Sequence, residues 1–243
     1  MRRWMIGGIA LLLALFFLPG VAAAQSARMI LALGNISLLD PKSIQNATGA
    51  EVRSALDKFQ LKDFSVVVLA NIAFSALPGS VQQGLVQYVT DGGALLITGG
   101  PQSFGSGGYQ AVASIIPFQI RADNDWHFTP YRSPVVIQPG HPILAGVTFI
   151  TVGSLNDMNP RPDATEILQA AGGGSAGRAQ GALGAGGGSY PYPLIAELTV
   201  GAGHVIGIAV DLNEFAGMQD RELFVRNTIA YLLSVSRIGP PIR

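Results

Sequence analysis

Three short runs of apolar residues dominate the first half of the chain, and segments with helical periodicity separate them. The runs cover residues 28–34, 64–70 and 94–98. Each is almost continuously apolar, which is typical of strands that are covered on both faces. The order strand, helix, strand, helix, strand with short connections therefore predicts a parallel sheet with helices on both sides.

Two helices are predicted between these strands. Thr48 and Glu51 match a capping box, and the following apolar positions have helical spacing, so the first helix is expected over residues 48–59, after a loop at 36–47. The second begins near Pro78 and ends at Gly92-Gly93. A Ser80–Gln83 cap is expected at its start, and its core face is expected to consist of Val81, Leu85, Tyr88 and Val89.

The second half is less regular. Residues 134–138, 147–152 and 164–170 are predicted as short strands, and residues 193–200 and 204–210 as a hairpin joined by Gly201-Ala202-Gly203. A last helix is predicted over residues 220–234. The tract at 170–189 is rich in glycine, alanine and serine, which predicts a flexible surface loop. Its Gly-Gly-Ser-Ala-Gly segment matches the sequence of a nucleophile elbow, but an elbow needs a strand before the serine and a helix after it, so the match is expected to be fortuitous.

The N-terminus has the pattern of a signal peptide. Arg2 and Arg3 precede an apolar run at residues 5–18, and Ala22-Ala23-Ala24 supplies small residues for a signal peptidase. Cleavage is expected after Ala24, which leaves residues 25–243 as a single α/β domain in the periplasm or secreted. An uncleaved N-terminal anchor is the alternative, and no further membrane span is expected.

Composition narrows the chemistry. The net charge is zero, which gives no support for a nucleic-acid partner, and there is no cysteine, which excludes a thiol nucleophile and thiolate metal sites. The histidines lack metal-ligand spacing and no nucleotide-binding glycine motif is present, so neither a metal nor a cofactor is expected. His127 follows Asp123 and Asp125, and a carboxylate beside a histidine could form a metal-binding or an acid–base pair, although an exposed polar loop is far more common. His204 is expected to face solvent.

The carboxyl ends of the predicted strands indicate where a ligand would bind, because ligands of open parallel sheets lie outside these ends. Turn formation or helix capping is the alternative role for Asn35 and Asn71, which end two of these strands. The candidate residues are Asn35, Asn71, Gly99, Gly100, Ser103 and Asp211.

Residues 88–100 and 103–109, with the Asp91-Gly92-Gly93 turn, Ile116-Pro117 and His141-Pro142-Ile143, resemble class I glutamine amidotransferase-like domains. The likeness is closest to the non-catalytic branch that is related to ThuA-like proteins, and it extends over most of residues 28–234. It implies a flavodoxin-like three-layer sandwich with a mostly parallel sheet and an antiparallel C-terminal hairpin. Ala202 and His204 replace the basic residues that the family usually has in this hairpin.

The resemblance also sharpens the functional prediction. An active glutaminase of this class needs a cysteine at the elbow, which here falls on Gly99-Gly100. We therefore expect an exported, catalytically inactive domain that serves as a binding or scaffold module in the cell envelope, with an envelope protein as partner. The alternative is a ThuA-like hydrolase or sugar-active enzyme in which His127, His141 or Asp211 acts as acid or base.

Overall fold

The apolar runs form the centre of an eight-stranded sheet in the computed structural model, which describes residues 27–37, 39–148, 152–170, 192–214 and 220–239. Two further pairs of short strands flank this sheet. In chain order the strands are β1 (Met29–Gly34), β2 (Glu51–Arg53), β3 (Val66–Ala70), β4 (Ala94–Thr98), β5 (Phe118–Gln119), β6 (Trp126–Arg132), β7 (Pro134–Val136), β8 (Val152–Asn156), β9 (Asn159–Pro160), β10 (Thr165–Ala170), β11 (Tyr192–Val200) and β12 (Gly203–Ile208).

The strand order of the main sheet is β2-β1-β3-β4-β12-β11-β10-β7. The first five strands in this order, β2-β1-β3-β4-β12, pair in parallel. The last three, β11, β10 and β7, continue the sheet in antiparallel pairs. The sheet is therefore mostly parallel, and the antiparallel hairpin predicted near the C-terminus is confirmed, with β12 inserted next to β4.

Three α-helices cover the two faces of this sheet. They are α1 (Pro41–Thr48), α2 (Gly79–Thr90) and α3 (Arg221–Val235). The side chains of α1 and α3 belong to one apolar core, and those of α2 belong to the other, together with a 3₁₀ helix at Tyr109–Ile115. This is a three-layer α/β arrangement in which alternate strand residues face opposite cores.

The helix predicted over residues 48–59 is wrong. Residues 41–48 are helical instead, and β2 pairs in parallel with β1, which leaves no room for a helix at Glu51. Asp40 caps α1 with hydrogen bonds from the backbone N–H groups of Lys42 and Ser43, and Gly49 ends it with a φ of 72°. The loop expected at 36–47 therefore contains a helix.

The other main elements agree with the prediction, with small differences. Helix α2 buries the four side chains that were predicted for its core face, but its N-cap is Pro78, and no side chain caps it, so the Ser80–Gln83 cap is absent. Strand β8 covers Val152–Asn156, whereas residues 149–151 of the strand predicted at 147–152 lie outside the described residues. The pairs β5–β9 and β6–β8 were not predicted. The signal segment and residues 171–189 of the Gly/Ala/Ser tract lie outside the described residues.

Candidate functional site

The carboxyl ends of the central parallel strands carry a hydrogen-bonded polar cluster. Asn71 follows β3 with a φ of 43°, a left-handed conformation that asparagine tolerates well. Its Nδ2 donates to Oδ2 of Asp211 over 2.7 Å, and its Oδ1 accepts from the backbone N–H of Gln102 over 2.9 Å. The other oxygen of Asp211 accepts from the backbone N–H of Asn213. The fold thus brings Asn71 and Asp211 together, although 140 residues separate them.

The turn at Gly99-Gly100 leaves no space for a side chain. Gly100 has a φ of 129°, and a Cβ added there would overlap the carboxamide of Asn71. A Cβ at Gly99 would lie 2.6 Å from Oδ1 of Asn156 and from the carbonyl oxygen of Ala209. The space beside these two glycines is therefore filled, by the carboxamide of Asn71 at Gly100 and by Asn156 with the backbone of Ala209 at Gly99.

Asn71 and Asn156 make matching contacts around this turn. The backbone N–H of Gly100 donates to Oδ1 of Asn156 over 2.8 Å, as that of Gln102 donates to Asn71. Each asparagine then donates through Nδ2 to a carboxylate, Asn71 to Asp211 and Asn156 to Asp125. Backbone donors that could hold an oxyanion in an enzyme accordingly already have amide oxygens as acceptors.

Ser103 and Asn35 occupy different surroundings. The hydroxyl of Ser103 is buried and donates to the carbonyl oxygen of Thr98 over 2.6 Å, so it is a loop-fixing group. Asn35 lies on the exposed rim, where its Oδ1 is 3.1 Å from the Ser37 hydroxyl. That hydroxyl is also 3.3 Å from Oδ1 of Asn213, which links Asn35 to the Asp211 side of the cluster.

Asp125 anchors the glycine-rich loop at residues 103–108, a role that the sequence did not reveal. Its carboxylate is 1% exposed and accepts hydrogen bonds from the N–H of Gly105, from the N–H and hydroxyl of Ser106 and from Nδ2 of Asn156, all at 2.8–2.9 Å. Asp125 therefore faces the loop and not His127. No local signal marks it, because its donors lie 19 to 31 residues away in sequence.

The candidate histidines are dispersed. His127 is exposed on β6, opposite Leu155 of β8. His141 caps a short 3₁₀ helix at Pro142–Leu144, and its Nε2 is 3.3 Å from Oε2 of Glu197. Neither is hydrogen-bonded to the carboxyl-edge cluster in the described part of the chain.

Glu197 gathers two histidines and a tyrosine at a second place, on the α3 side of the sheet. Besides His141, it contacts Nδ1 of His204 at 3.0 Å and accepts from the hydroxyl of Tyr231 at 2.6 Å. The expectation that His204 faces solvent is therefore wrong. Burial by itself would raise the pKa of Glu197, but the hydrogen bonds from His141, Tyr231 and His204 outweigh it and lower this pKa to about 2. Burial and the neighbouring Glu197 raise the pKa of Tyr231.

The described residues contain neither a metal-binding cluster of acidic and histidine side chains nor a membrane-spanning helix. No group of three or more histidine, aspartate or glutamate side chains there is arranged to hold a metal ion. None of the helices in the same ranges combines the length and hydropathy needed to cross a membrane.

Comparisons with known proteins bear on the fold. No family model matches the chain, and no curated protein matches it. Among solved structures, it is similar to the cytoplasmic protein STM3548 from Salmonella typhimurium, with 15% identity, a TM-score of 0.61 and coverage of 88% of this chain and 100% of that one. A putative ThuA-like protein from Bacteroides uniformis has 13% identity and a TM-score of 0.55, with coverage of 90% and 96%. A β-galactosidase from Rahnella sp. R3 has 10% identity and a TM-score of 0.52, with coverage of 85% of this chain and 31% of that one.

The chain accordingly has a fold that ThuA-like proteins share. Sequence identity at this level concerns the arrangement of the backbone, and function has to be argued from the side chains at the site.

Proposed function

We propose that this protein is an exported, non-catalytic amidotransferase-like domain that acts as a binding or scaffold module in the cell envelope. The observation that carries the proposal is the filled turn at Gly99-Gly100. A nucleophile needs a side chain at the elbow, and here the carboxamide of Asn71 occupies the space beside Gly100. The absence of cysteine from the sequence agrees with this proposal.

The strand order supports a flavodoxin-like placement of the ligand site. The parallel strands follow the order β2-β1-β3-β4-β12, which corresponds to the 2-1-3-4-5 order of flavodoxin-like sheets. In such sheets the ligand binds where the strand order reverses, between the first and third strands. Asn35 follows β1 and Asn71 follows β3, so we propose Asn35, Asn71 and Asp211 as the recognition surface, with Gly99, Gly100 and Ser103 as the backbone support beneath it.

An acid–base enzyme is the weaker proposal. It would need His127 or His141 near Asp211, but His141 is bound to Glu197, His127 lies on the β6–β8 pair, and Asp211 is bound to Asn71 and Asn213. A general acid and base have to lie within hydrogen-bonding reach of one substrate.

Assays of the purified full chain test the absence of catalysis. We expect no release of ammonia from L-glutamine and no release of nitrophenol from 4-nitrophenyl glycosides or acetate above the buffer rate. Turnover that disappears in Ser103→Ala, His127→Ala or His141→Ala would overturn the proposal.

Binding needs a separate test. Affinity capture from an envelope fraction is expected to retain a partner, and Asn35→Arg is expected to abolish this retention by placing a bulky charge on the exposed rim. Glu222→Arg is the matched control, because Glu222 is exposed on α3. Equal capture by both variants would show that the partner binds elsewhere.

A further inference from the structure

A cavity lies between the β5–β9 pair and the antiparallel part of the main sheet, away from the carboxyl-edge cluster. Its volume is about 230 Å³, and its lining includes Pro117, Pro160 and Pro193 together with Ala196 and Glu166. This is several times the ~30 Å³ that one water molecule occupies in the liquid. The cavity can therefore hold a small organic group.

Glu166 is the residue that gives this cavity a chemical character. Its cross-strand partner is Ala196, so both side chains lie on the same face of the sheet. Oε1 of Glu166 is shielded from solvent and has no hydrogen-bond partner among the described residues. Burial raises the pKa of this carboxyl. A buried acceptor without a donor is costly, and a ligand that supplies a donor removes that cost.

Arg161 does not supply this donor. Its NH1 donates to the carbonyl oxygens of Ala113, Ser114 and Ile116, and its Nε and NH2 donate to Asp163. Arg161 also lines an adjacent, more open cleft of about 480 Å³ that includes Asp163. The ionisable side chains of the two cavities are thus Arg161, Asp163 and Glu166. Asp163 lines only the open cleft, where it is ion-paired with Arg161. The charge of Glu166 is therefore not balanced by Arg161, which favours a cation over an anion.

From this geometry we infer that the Glu166 cavity binds a primary alkylammonium group, with the ammonium at the Glu166 carboxylate and the apolar stem against the proline and alanine walls. A stem that packs against these walls shields the ion pair from water, and this strengthens a charge-assisted hydrogen bond. The group could be a free alkylamine or the side chain of a lysine, which share this chemistry. The site is independent of the carboxyl edge and of the proposal made for it.

NMR titration of the full chain with n-butylammonium chloride tests this inference. We expect saturable shifts of the backbone amide signals of Ala164, Glu166 and Ala196. Since a charge-assisted hydrogen bond is lost, Glu166→Gln is expected to weaken binding by at least about tenfold, and n-butanol, which has the same stem without the charge, by a similar factor. Glu222→Gln is the control and is expected to bind as the wild type does.

Ala164→Leu supplies an independent variant, because it fills the cavity and leaves the charge unchanged. It is expected to abolish the shifts while the spectrum of the folded protein persists. A parallel titration with Nα-acetyl-lysine methylamide distinguishes the sources: tighter binding than n-butylammonium identifies a lysine side chain, and weaker binding a free amine. Absence of localised shifts with both probes, or equal affinity of the wild type and Glu166→Gln, would overturn the inference.

Discussion

At the residue scale, the carboxamide is the group that shapes the carboxyl edge. A carboxamide offers an acceptor and a donor from one planar unit, so it can connect a backbone N–H to a carboxylate. Asn71 does this between Gln102 and Asp211, and Asn156 between Gly100 and Asp125. These two side chains fix the turn and at the same time occupy the space that a reactive group would need.

Gly100→Ala tests this occupancy. The backbone conformation is unfavourable for alanine and the new methyl group overlaps Asn71, so we expect a loss of about 2–4 kcal/mol in the free energy of unfolding, measured by urea denaturation. Gly108→Ala is the matched control, because Gly108 also has a positive φ, of 78°, but open space where its Cβ would lie. It should lose only the backbone contribution, about 1 kcal/mol.

The same prediction includes a double-mutant cycle. In an Asn71→Gly background, which removes the carboxamide and keeps the left-handed backbone available, Gly100→Ala is expected to cost at least about 1 kcal/mol less than in the wild type. Additive effects of the two substitutions would show that the carboxamide of Asn71 does not restrict the turn.

Asp125→Asn tests the anchoring of the glycine-rich loop. The substitution replaces an acceptor with an NH₂ group that faces donors, so at least one of the N–H groups of Gly105 and Ser106 loses its partner. We expect a loss of about 2–4 kcal/mol in unfolding free energy, with faster hydrogen exchange at these amides. Asp123→Asn, at an exposed carboxylate bound to Gln110, is the control and should change stability by less than about 1 kcal/mol. Protected amides in Asp125→Asn would contradict the assignment.

The sequence predicted the turn at Gly99-Gly100 and its lack of a reactive side chain, because both follow from the residues themselves. It could not predict that Asn71 fills the space beside Gly100, since this contact depends on the register between β3 and β4. The roles of Asp125 and Asn156 could not be predicted for the same reason, because their hydrogen-bond partners are distant in sequence and only the fold brings them together. In addition, the sequence alone does not distinguish a buried carboxylate from an exposed one.

At the element scale, Glu197 connects three parts of the fold. It lies on β11 and contacts His204 of β12, Tyr231 of α3 and His141 at the start of the Pro142–Leu144 helix. Each contact joins an element to the same carboxylate, so the loss of its charge affects the packing of α3 and of the hairpin together.

The stability of the protein is therefore expected to fall in acid. The pKa of Glu197 is about 2 when folded, against an ordinary value of 4.5, so the folded state binds fewer protons than the unfolded state between these values. The contribution is complete above about pH 4.5 and is lost as the pH falls towards 2. At ~1.4 kcal/mol per pKa unit, the shift of Glu197 amounts to at most about 3.5 kcal/mol.

Urea unfolding between pH 2 and 7 measures this contribution. Glu197→Gln is expected to be less stable at neutral pH by about 2–3 kcal/mol and to show a flatter pH profile than the wild type. Glu222→Gln, at an exposed acid of α3, should keep the profile of the wild type. A profile of Glu197→Gln that runs parallel to the wild type would assign the acid sensitivity to other carboxyl groups.

Helix α1, which was predicted at residues 48–59 but lies at Pro41–Thr48, shows why periodicity alone can place an element wrongly. Glu51 and Val52 have helical spacing with later apolar residues, but pairing of β2 with β1 decides their conformation. The signals of the true helix were present: Asp40 at the N-cap, Pro41 at the first position and Gly49 after the last turn. Capping residues at both ends were thus more informative for α1 than periodicity, whereas α2 and α3 follow their periodicity although no side chain caps their N-termini.

At the scale of the whole molecule, the parallel half of the main sheet could be predicted from its apolar runs. A strand that is apolar on both faces has to lie in the interior of a sheet that is covered on both sides. The additional strands β5, β6, β8 and β9 lack such continuous apolar runs. They contribute to the surroundings of Asp125 and Glu166, so both of these carboxylates lie in the part of the molecule that was hardest to predict.

The proposed export makes a prediction about the mature chain. A signal peptidase reads small residues at the first and third positions before the cleaved bond, which here are Ala24 and Ala22. When the full-length protein is expressed in a bacterium with a periplasm, mass spectrometry of the periplasmic fraction is expected to show a chain that begins at Gln25. Ala24→Leu should prevent this cleavage, whereas Ala23→Leu, at the tolerant middle position, should leave it unchanged. A membrane-bound product that retains residues 1–24 would support the uncleaved anchor, and a full-length product in the cytoplasm would contradict export altogether, together with the envelope role that depends on it.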